Sequence, residues 1–320
     1  MTAPPTSPST ARPPRPLHQS GPVGRFFAGL LVAALSSLPR TALGALGRGL
    51  GRLVYALGIR RRVTLDNLAH AFPELPEAEL RRIAKGAYAN MAWGVLESIT
   101  SARVSREELA RLLVAENWEV MENALAEGKG VLLATAHFGS WELFGHAMAQ
   151  RVSFNAVVKP LKGALNERIV LSRLDTGIKL IPGRGAISGS MKALARGEVV
   201  ATLIDQAIDA EHGVFVPFFG RLASTTPGLS IVAARTKAPV LLGMPVRDGV
   251  GLRLVFEGPI RFVDTGNLHE DIRQHTAEVT AGIERWIRKY PDQWLWLHRR
   301  WKVKSPSEAP APQRTAAPER

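Results

Sequence analysis

The chain contains no cysteine. That excludes a disulfide framework and any thiolate-ligated zinc or iron–sulfur centre, and it fits a reducing compartment. Acid–base chemistry is therefore left to His, Glu, Asp, Lys and Tyr. A second absence is local: from Met1 to Leu65 there is no Asp or Glu, against nine arginines (Arg12, Arg15, Arg25, Arg40, Arg48, Arg52, Arg60, Arg61 and Arg62). Most of the +13 net charge thus lies in the first fifth of the chain. Such an excess selects an anionic partner, whether nucleic acid, anionic lipid or a phosphorylated substrate. Also missing are the G-x-G-x-x-G and P-loop fingerprints, internal repeats, and the H-E-x-x-H spacing of a helical zinc site.

A long apolar run is lacking too. The most hydrophobic segment, "FFAGLLVAALSSL" from Phe26 to Leu38, is closed by Pro39. As a helix at roughly 1.5 Å per residue it reaches about 20 Å, short of a hydrocarbon core of roughly 30 Å. Arginine flanks it on both sides, whereas a single span concentrates Lys and Arg on the cytoplasmic side. The pattern predicts a helix that lies on or dips into a membrane, its arginines drawn to anionic lipid at roughly 1 kcal/mol each. A buried core helix is the alternative, and the Pro-rich leader disfavours a signal peptide. Few aromatics interleave the arginines and no nucleic-acid motif is present, so lipid is favoured over nucleic acid.

Residues 1–24 and 305–320 are rich in Pro, Ser and Thr or Ala and predict disordered ends around a hydrophobic helical segment (25–59) and a main domain (60–304). From Asn67 to about Leu125 the pattern is helical, with Leu80, Ile83, Ala84, Ala87, Met91, Val95 and Ile99 at three- and four-residue steps. From Lys129 the texture changes. Short apolar runs ("VLLATAH", "FNAVVK", "IKLIP", "VVATLID", "APVLLGMPV", "LRLVFEGPI") alternate with helical segments near 141–150, 166–175, 186–196 and 229–236, and a last helix spans about 268–289. This alternation predicts an α/β fold with a largely parallel central sheet flanked by helices.

The first strand delivers His137 at its carboxyl end, where open α/β sheets place their ligands, and Glu142 follows five residues later. Gly139 permits a tight turn and Ser140 can cap the next helix. On one continuous helix the two side chains would lie about 140° apart, but a strand, turn and helix start can bring them together. Glu142 would then fix the imidazole tautomer while the other nitrogen deprotonates a hydroxyl supplied by the substrate. The plainer alternative is a structural histidine and a glutamate that favours a helix N-terminus.

"AHFGSWE" resembles the His-x4-Glu block of the lipid A biosynthesis (lauroyl/myristoyl) acyltransferases, relatives of the lysophospholipid acyltransferases with their His-x4-Asp motif. "DNLAHAFPEL" (Asp66 to Leu75), "LIDQ" (Leu203 to Gln206), "GVFVPFFGRLASTTPG" (Gly213 to Gly228), "APVLLGMPV" (Ala238 to Val246) and "PDQWLWLHRRWK" (Pro291 to Lys302) match in the same order. The resemblance implies a glycerolipid acyltransferase-like fold and transfer of a fatty acyl chain from acyl carrier protein, or coenzyme A, to a glycolipid hydroxyl at the cytoplasmic face of the inner membrane. It implies His137 as base, Glu142 as its partner, and Asp205 with Gln206 from "DQ" in the site, and no cofactor. Ser140 stands where Asn is commoner. The F-P-E-G-T-R block of the glycerol-phosphate relatives has no counterpart beyond "FVPFFGRLAST", which disfavours that acceptor and leaves lysophospholipid or another glycolipid as the alternative to a lipid A precursor.

Acyl transfer passes through an oxyanion, so donors must face it: the expectation is the N–H groups around Phe138, Gly139 and Ser140, with a nearby arginine. Arg168, Arg173, Lys179 and Arg184 are candidates for binding phosphate, Arg184 foremost because two glycines flank it. Phe215, Phe218 and Phe219 can line an acyl channel or simply fill core. Trp294 and Trp296, with Arg299 and Arg300, can anchor at a membrane interface or pack on the core. His146 has no assigned role. Hydrolysis on the same machinery is a further reading, against which stands the lack of a nucleophile elbow. A non-catalytic protein that binds anionic lipid is a more distant one.

Overall fold

A computed structural model describes residues 21–159 and 163–305 of the chain. Nearly all of the leader and tail expected to be disordered lies outside the described residues. The apolar N-terminal segment forms two helices, α1 (Pro22–Ser36) and α2 (Arg40–Ala56), broken at Pro39 and bent by 119°. No single helix among the described residues is long and apolar enough to cross a membrane. The bent pair together has the length and composition of a broken or re-entrant span. Val23, Phe26, Phe27, Leu30 and Leu31 of α1, and Leu46, Leu50 and Leu53 of α2, are exposed.

The other face of α2 packs on α4 (Glu77–Thr100), which follows α3 (Arg61–Ala71). Gly44, Gly47 and Gly51 make that packing possible. A methyl group on Gly47 would lie 2.6 Å from the Trp93 Cα, and one on Gly51 would collide with the Tyr88 carbonyl. The Gly-rich stretch is therefore a helix–helix seam. On α4 the buried stripe turns as it approaches the sheet: Val95 is exposed while Trp93, Leu96 and Glu97 are buried.

After α5 (Arg106–Leu112) comes a strand, β1 (Leu113–Glu116), that corrects the expectation of unbroken helical character to Leu125. It is four residues long, flanked by charged helical sequence, and lies at the sheet edge, where little apolar patterning is needed. Then follow α6 (Trp118–Ala126), β2 (Val131–Thr135), α7 (Trp141–Ala149), β3 (Phe154–Val158), α8 (Ala164–Asp175), β4 (Lys179–Pro182), α9 (Ala186–Leu194) and β5 (Val199–Leu203). A hairpin, β6 (Val214–Phe218) with β7 (Arg221–Thr225), precedes α10 (Gly228–Thr236), β8 (Val240–Asp248), β9 (Gly251–Ile260) and α11 (Leu268–Lys289).

The main sheet has the order β1-β9-β8-β2-β5-β3-β4, parallel at every pairing except β8 with β9. The expected α/β sheet is thus present, with one antiparallel step. All five residues of β2 are buried, as a central strand covered on both faces requires. Residues 291–302 run as a strap over the carboxyl edge of the sheet, Phe138 pairing with Trp294 and Gly139 N–H donating to the Gln293 carbonyl at 2.9 Å.

Replacing Gly47 with Leu should force α2 off α4 and cost about 1–3 kcal/mol, the usual penalty of overpacking. Leu at Gly49, which has open space around it, should cost far less. Thermal unfolding of the two detergent-solubilised variants against the parent protein measures the difference.

Candidate active site

The site follows from strand register. β2 and β5 are parallel neighbours with Thr135 opposite Leu203. Two residues further on stand His137 and Asp205, at matching ends of adjacent strands about 4.8 Å apart. The His137 backbone N–H donates to Asp205 Oδ2 at 3.0 Å, and the imidazole Nδ1 lies 2.9 Å from Oδ1. An ionised carboxylate only accepts, so Nδ1 carries the proton and Nε2 keeps its lone pair. Trp294 Nε1–H donates to Asp205 Oδ2 at 2.9 Å from the strap. Asp205 is buried, whereas the His137 side chain is 27% exposed.

Burial disfavours the imidazolium, but the Asp205 charge and hydrogen bond, aided by Glu142, outweigh it and hold the His137 pKa above the ordinary histidine value. Asp205 also suffers from burial, yet it is held below the usual carboxylate range by His137 and the Trp294 N–H. The Gln206 amide nitrogen lies 3.4 Å from both ring nitrogens. The Trp141 ring meets the imidazole edge-on at 5.9 Å.

Glu142 is placed differently from the sequence expectation. Its two oxygens accept from Nε and Nη2 of Arg173, a forked pair joining α7 to α8, and Oε1 also accepts from Trp141 Nε1–H at 3.1 Å. It acts on His137 through its field, while Asp205 holds the hydrogen-bonded position. Glu142 sits in the first turn of α7 bound to Arg173, and the hydrogen-bonded position at the imidazole is filled by Asp205, two residues past β5.

The turn itself is rigid. Gly139 has φ +50, and a side chain there would collide with the Pro245 carbonyl. The expected oxyanion donors are already taken: Phe138 N–H bonds to the Ala136 carbonyl at 2.8 Å, Gly139 N–H to Gln293, and Ser140 N–H to the Pro245 carbonyl at 3.2 Å. The Ser140 side chain does not cap α7; it donates to Glu97.

Glu97 was not foreseen, although an acid on the buried stripe of α4 is the signal that could have found it. It is fully buried and receives Arg247 through two hydrogen bonds (2.9 and 2.6 Å), Arg40 of α2, and Ser140. Arg247 lies 3.8 Å over the Trp93 ring and also donates to the Gly139 carbonyl. A buried carboxylate between two buried guanidiniums thus clamps the turn that carries His137.

The remaining candidates separate clearly. Arg173 belongs to the site through Glu142. Arg184 is exposed beyond β4, two strands from β5 and so roughly 10 Å removed along the sheet edge. Lys179 pairs with Glu198, and Arg168 Nη2 reaches the Arg25 carbonyl. Phe218 and Phe219 are buried against Trp294, Trp301, Trp296 and Phe72, which makes them core. Trp294 and Trp296 are fully buried, so they do not anchor at a headgroup level, and Arg300 is buried beside them. His146, to which the sequence assigned no role, is buried, and burial lowers its pKa. Among the described residues no group of His, Asp and Glu is arranged to hold a metal ion.

Residues 20–303 match the family described as bacterial lipid A biosynthesis acyltransferase. The chain belongs to that family. It is 28% identical over 272 residues to the lipid A biosynthesis lauroyltransferase of Escherichia coli strain K12, covering 83% of this chain and 87% of the relative. It is 26% identical over 276 residues to the lipid A biosynthesis palmitoleoyltransferase of the same strain, covering 85% and 89%. A shorter likeness, 27% over 190 residues and 56% of this chain, joins it to 59% of the phosphatidylinositol mannoside acyltransferase of Mycolicibacterium smegmatis. The protein is accordingly an acyltransferase, and the His137–Asp205 pair lies within the matched region.

Two variants separate chemistry from support. Asp205→Asn should lower turnover by roughly 10²–10⁴-fold, because it removes the group that fixes the Nδ1–H tautomer. A base works above its pKa, and Asp205 raises that of His137. The acidic limb of the pH–rate profile should therefore begin above about pH 6.5 in the parent and move to lower pH in the variant. Glu97→Ala leaves two buried cations unpaired and should cost about 3–5 kcal/mol, read as a lower denaturation midpoint.

Proposed function

We propose that the protein is a membrane-associated O-acyltransferase that moves a fatty acyl chain from acyl carrier protein to a hydroxyl of a lipid A precursor or similar glycolipid, with His137 as general base. The observation that supports this most is the His137–Asp205 pair at the strand ends. It leaves Nε2 free to accept a proton, while the serine of the turn, Ser140, is bound to Glu97 and unsuited to be a nucleophile. The acceptor hydroxyl supplies that role.

In the proposed reaction Nε2 takes the acceptor hydroxyl proton as its oxygen attacks the thioester carbonyl. The resulting oxyanion collapses, the C–S bond breaks, and the imidazolium returns the proton to the departing thiolate. Asp205 stabilises the transient imidazolium. Because the turn's N–H groups are engaged, we assign oxyanion stabilisation to Arg173, whose Nε and Nη2 are held by Glu142, and to the Gln206 amide beside the imidazole.

The exposed apolar residues of α1 and α2, set among Arg25, Arg48 and Arg52, support seating on the anionic cytoplasmic face of the inner membrane, where both an acylated acceptor and a soluble carrier are accessible. No metal or cofactor is needed for this chemistry.

Purified, detergent-solubilised protein should transfer labelled acyl chains from acyl carrier protein to a lipid A precursor in a panel that also holds a lysophospholipid and a mannosylated phospholipid. His137→Ala should reduce that transfer by roughly 10²–10⁴-fold without altering the fold. Full activity in the variant would remove His137 from the mechanism, and transfer to another acceptor alone would replace the proposed substrate.

A further inference from the structure

The end of α4 is tied to both sides of the candidate site. Glu97, in its last turn, accepts from the Ser140 hydroxyl at 2.5 Å. Ser140 joins the His137 turn to α7, and its backbone groups are also taken, the N–H by the Pro245 carbonyl and the carbonyl by the Phe144 N–H. Gly94 lies three residues before Glu97 and so on the same face of α4. It receives the first residue of α7, since a methyl group there would lie 2.7 Å from the Trp141 ring.

On the other side, Ser101 directly follows α4. Its hydroxyl lies 3.0 Å from that of Ser172 in α8, and Ser172 Oγ also accepts the Ala102 N–H at 3.2 Å. Ser172 is the residue before Arg173. His146 of α7 bonds to the Ser101 backbone as well. All three serines, 101, 140 and 172, are buried, so their hydroxyls need these partners. Glu97 does not need Ser140 to be neutralised, because Arg247 and Arg40 already give it three hydrogen bonds. What the Ser140 bond adds is position: a short, charge-assisted contact fixes where the turn ends and α7 begins.

We propose that Glu97 and Ser101 are positioning residues, and that the end of α4 sets the separation between the base, His137, and the oxyanion-stabilising Arg173. The inference rests on the transfer reading of those two residues. His137 reaches the helix through Ser140 and Glu97, and Arg173 reaches it through Ser172 and Ser101, four residues further along the chain. The Arg173 side chain is held by Glu142 of α7, so the guanidinium and its backbone are fixed from two elements. Attack on a thioester needs the proton acceptor and the charge-stabilising group in place together, and an error of about 1 Å in either can cost roughly 10²-fold in rate.

The test is steady-state acyl transfer by the detergent-solubilised full chain carrying Ser140→Ala or Ser172→Ala, with thermal unfolding measured beside it. Ser98→Ala is the control, since that buried hydroxyl bonds to the Gly94 carbonyl within α4 itself. Ser140→Ala and Ser172→Ala should each lower kcat roughly 10- to 10²-fold with KM little changed, and Ser98→Ala should keep the parent's kcat. The acidic limb of the pH–rate profile should stay in place in all three, because the Asp205 bond is untouched. In an Arg173→Lys background, adding Ser140→Ala should cost less than about threefold, since the group it helps to place is already impaired. Parental kcat in both folded serine variants, a loss confined to thermal stability, or full additivity with Arg173→Lys would overturn the proposal. His137→Ala, run alongside, judges the transfer reading separately. Full activity in that variant would remove the reading and this proposal with it, whereas an inactive His137→Ala beside fully active serine variants would remove the spacing role alone.

Discussion

Everything at the carboxyl edge of this sheet depends on the parallel register of β2 and β5. With Thr135 opposite Leu203, equal overruns of two residues bring a histidine and an aspartate side by side. The pairing needs no long side chain to reach across and loses little conformational entropy, because both residues extend from buried strands. One carboxylate then accepts three times, from the imidazole, from its backbone N–H and from Trp294. That saturation keeps Asp205 ionised in a buried position and directs Nε2 toward the open side.

A second buried carboxylate holds the turn that carries His137. Glu97 draws together α4, Arg40 of α2, Arg247 of β8 and Ser140 of the histidine turn, so the apolar helices and the site share one charge cluster. Gly139 has to be glycine for that turn to lie against Pro245 at positive φ. The cluster makes the geometry of His137 a property of four separate elements, with Glu142 and Arg173 adding a fifth through α8. Seating of α1 and α2 on a surface would therefore bear on the same ion cluster that fixes the turn.

The α/β alternation and the largely parallel sheet were legible because buried parallel strands read as short apolar runs, and His137 could be placed at a strand end. What a sequence lacks is strand order. Nothing in "VLLATAH" and "VVATLID" says that these two are neighbours, so the carboxylate nearest in sequence, Glu142, looked like the partner when the one nearest in space is Asp205, 68 residues away. The resemblance pointed to Asp205 without supplying its bond. Trp294 and Trp296 were ambiguous for a related reason: amphipathic rings beside arginines suit an interface or a core equally, and only packing decides. Arg300 shows how far packing can overrule composition, since it is fully buried.

Arg300 also shows how the strap works. Among the described residues no carboxylate pairs with it; it donates to the Ser224 carbonyl and to Thr225 Oγ1, and burial lowers its pKa to about 10. Two residues earlier, burial holds His298 neutral with a pKa near 4, which lets its Nε2 accept the Ala207 N–H at 3.0 Å, directly after Gln206. The strap is thus pinned at Asp205 by Trp294, at the Gln206 loop by His298 and at the hairpin by Arg300. Three side chains of one short segment hold it against Asp205, the residue bonded to His137, and against the elements on either side.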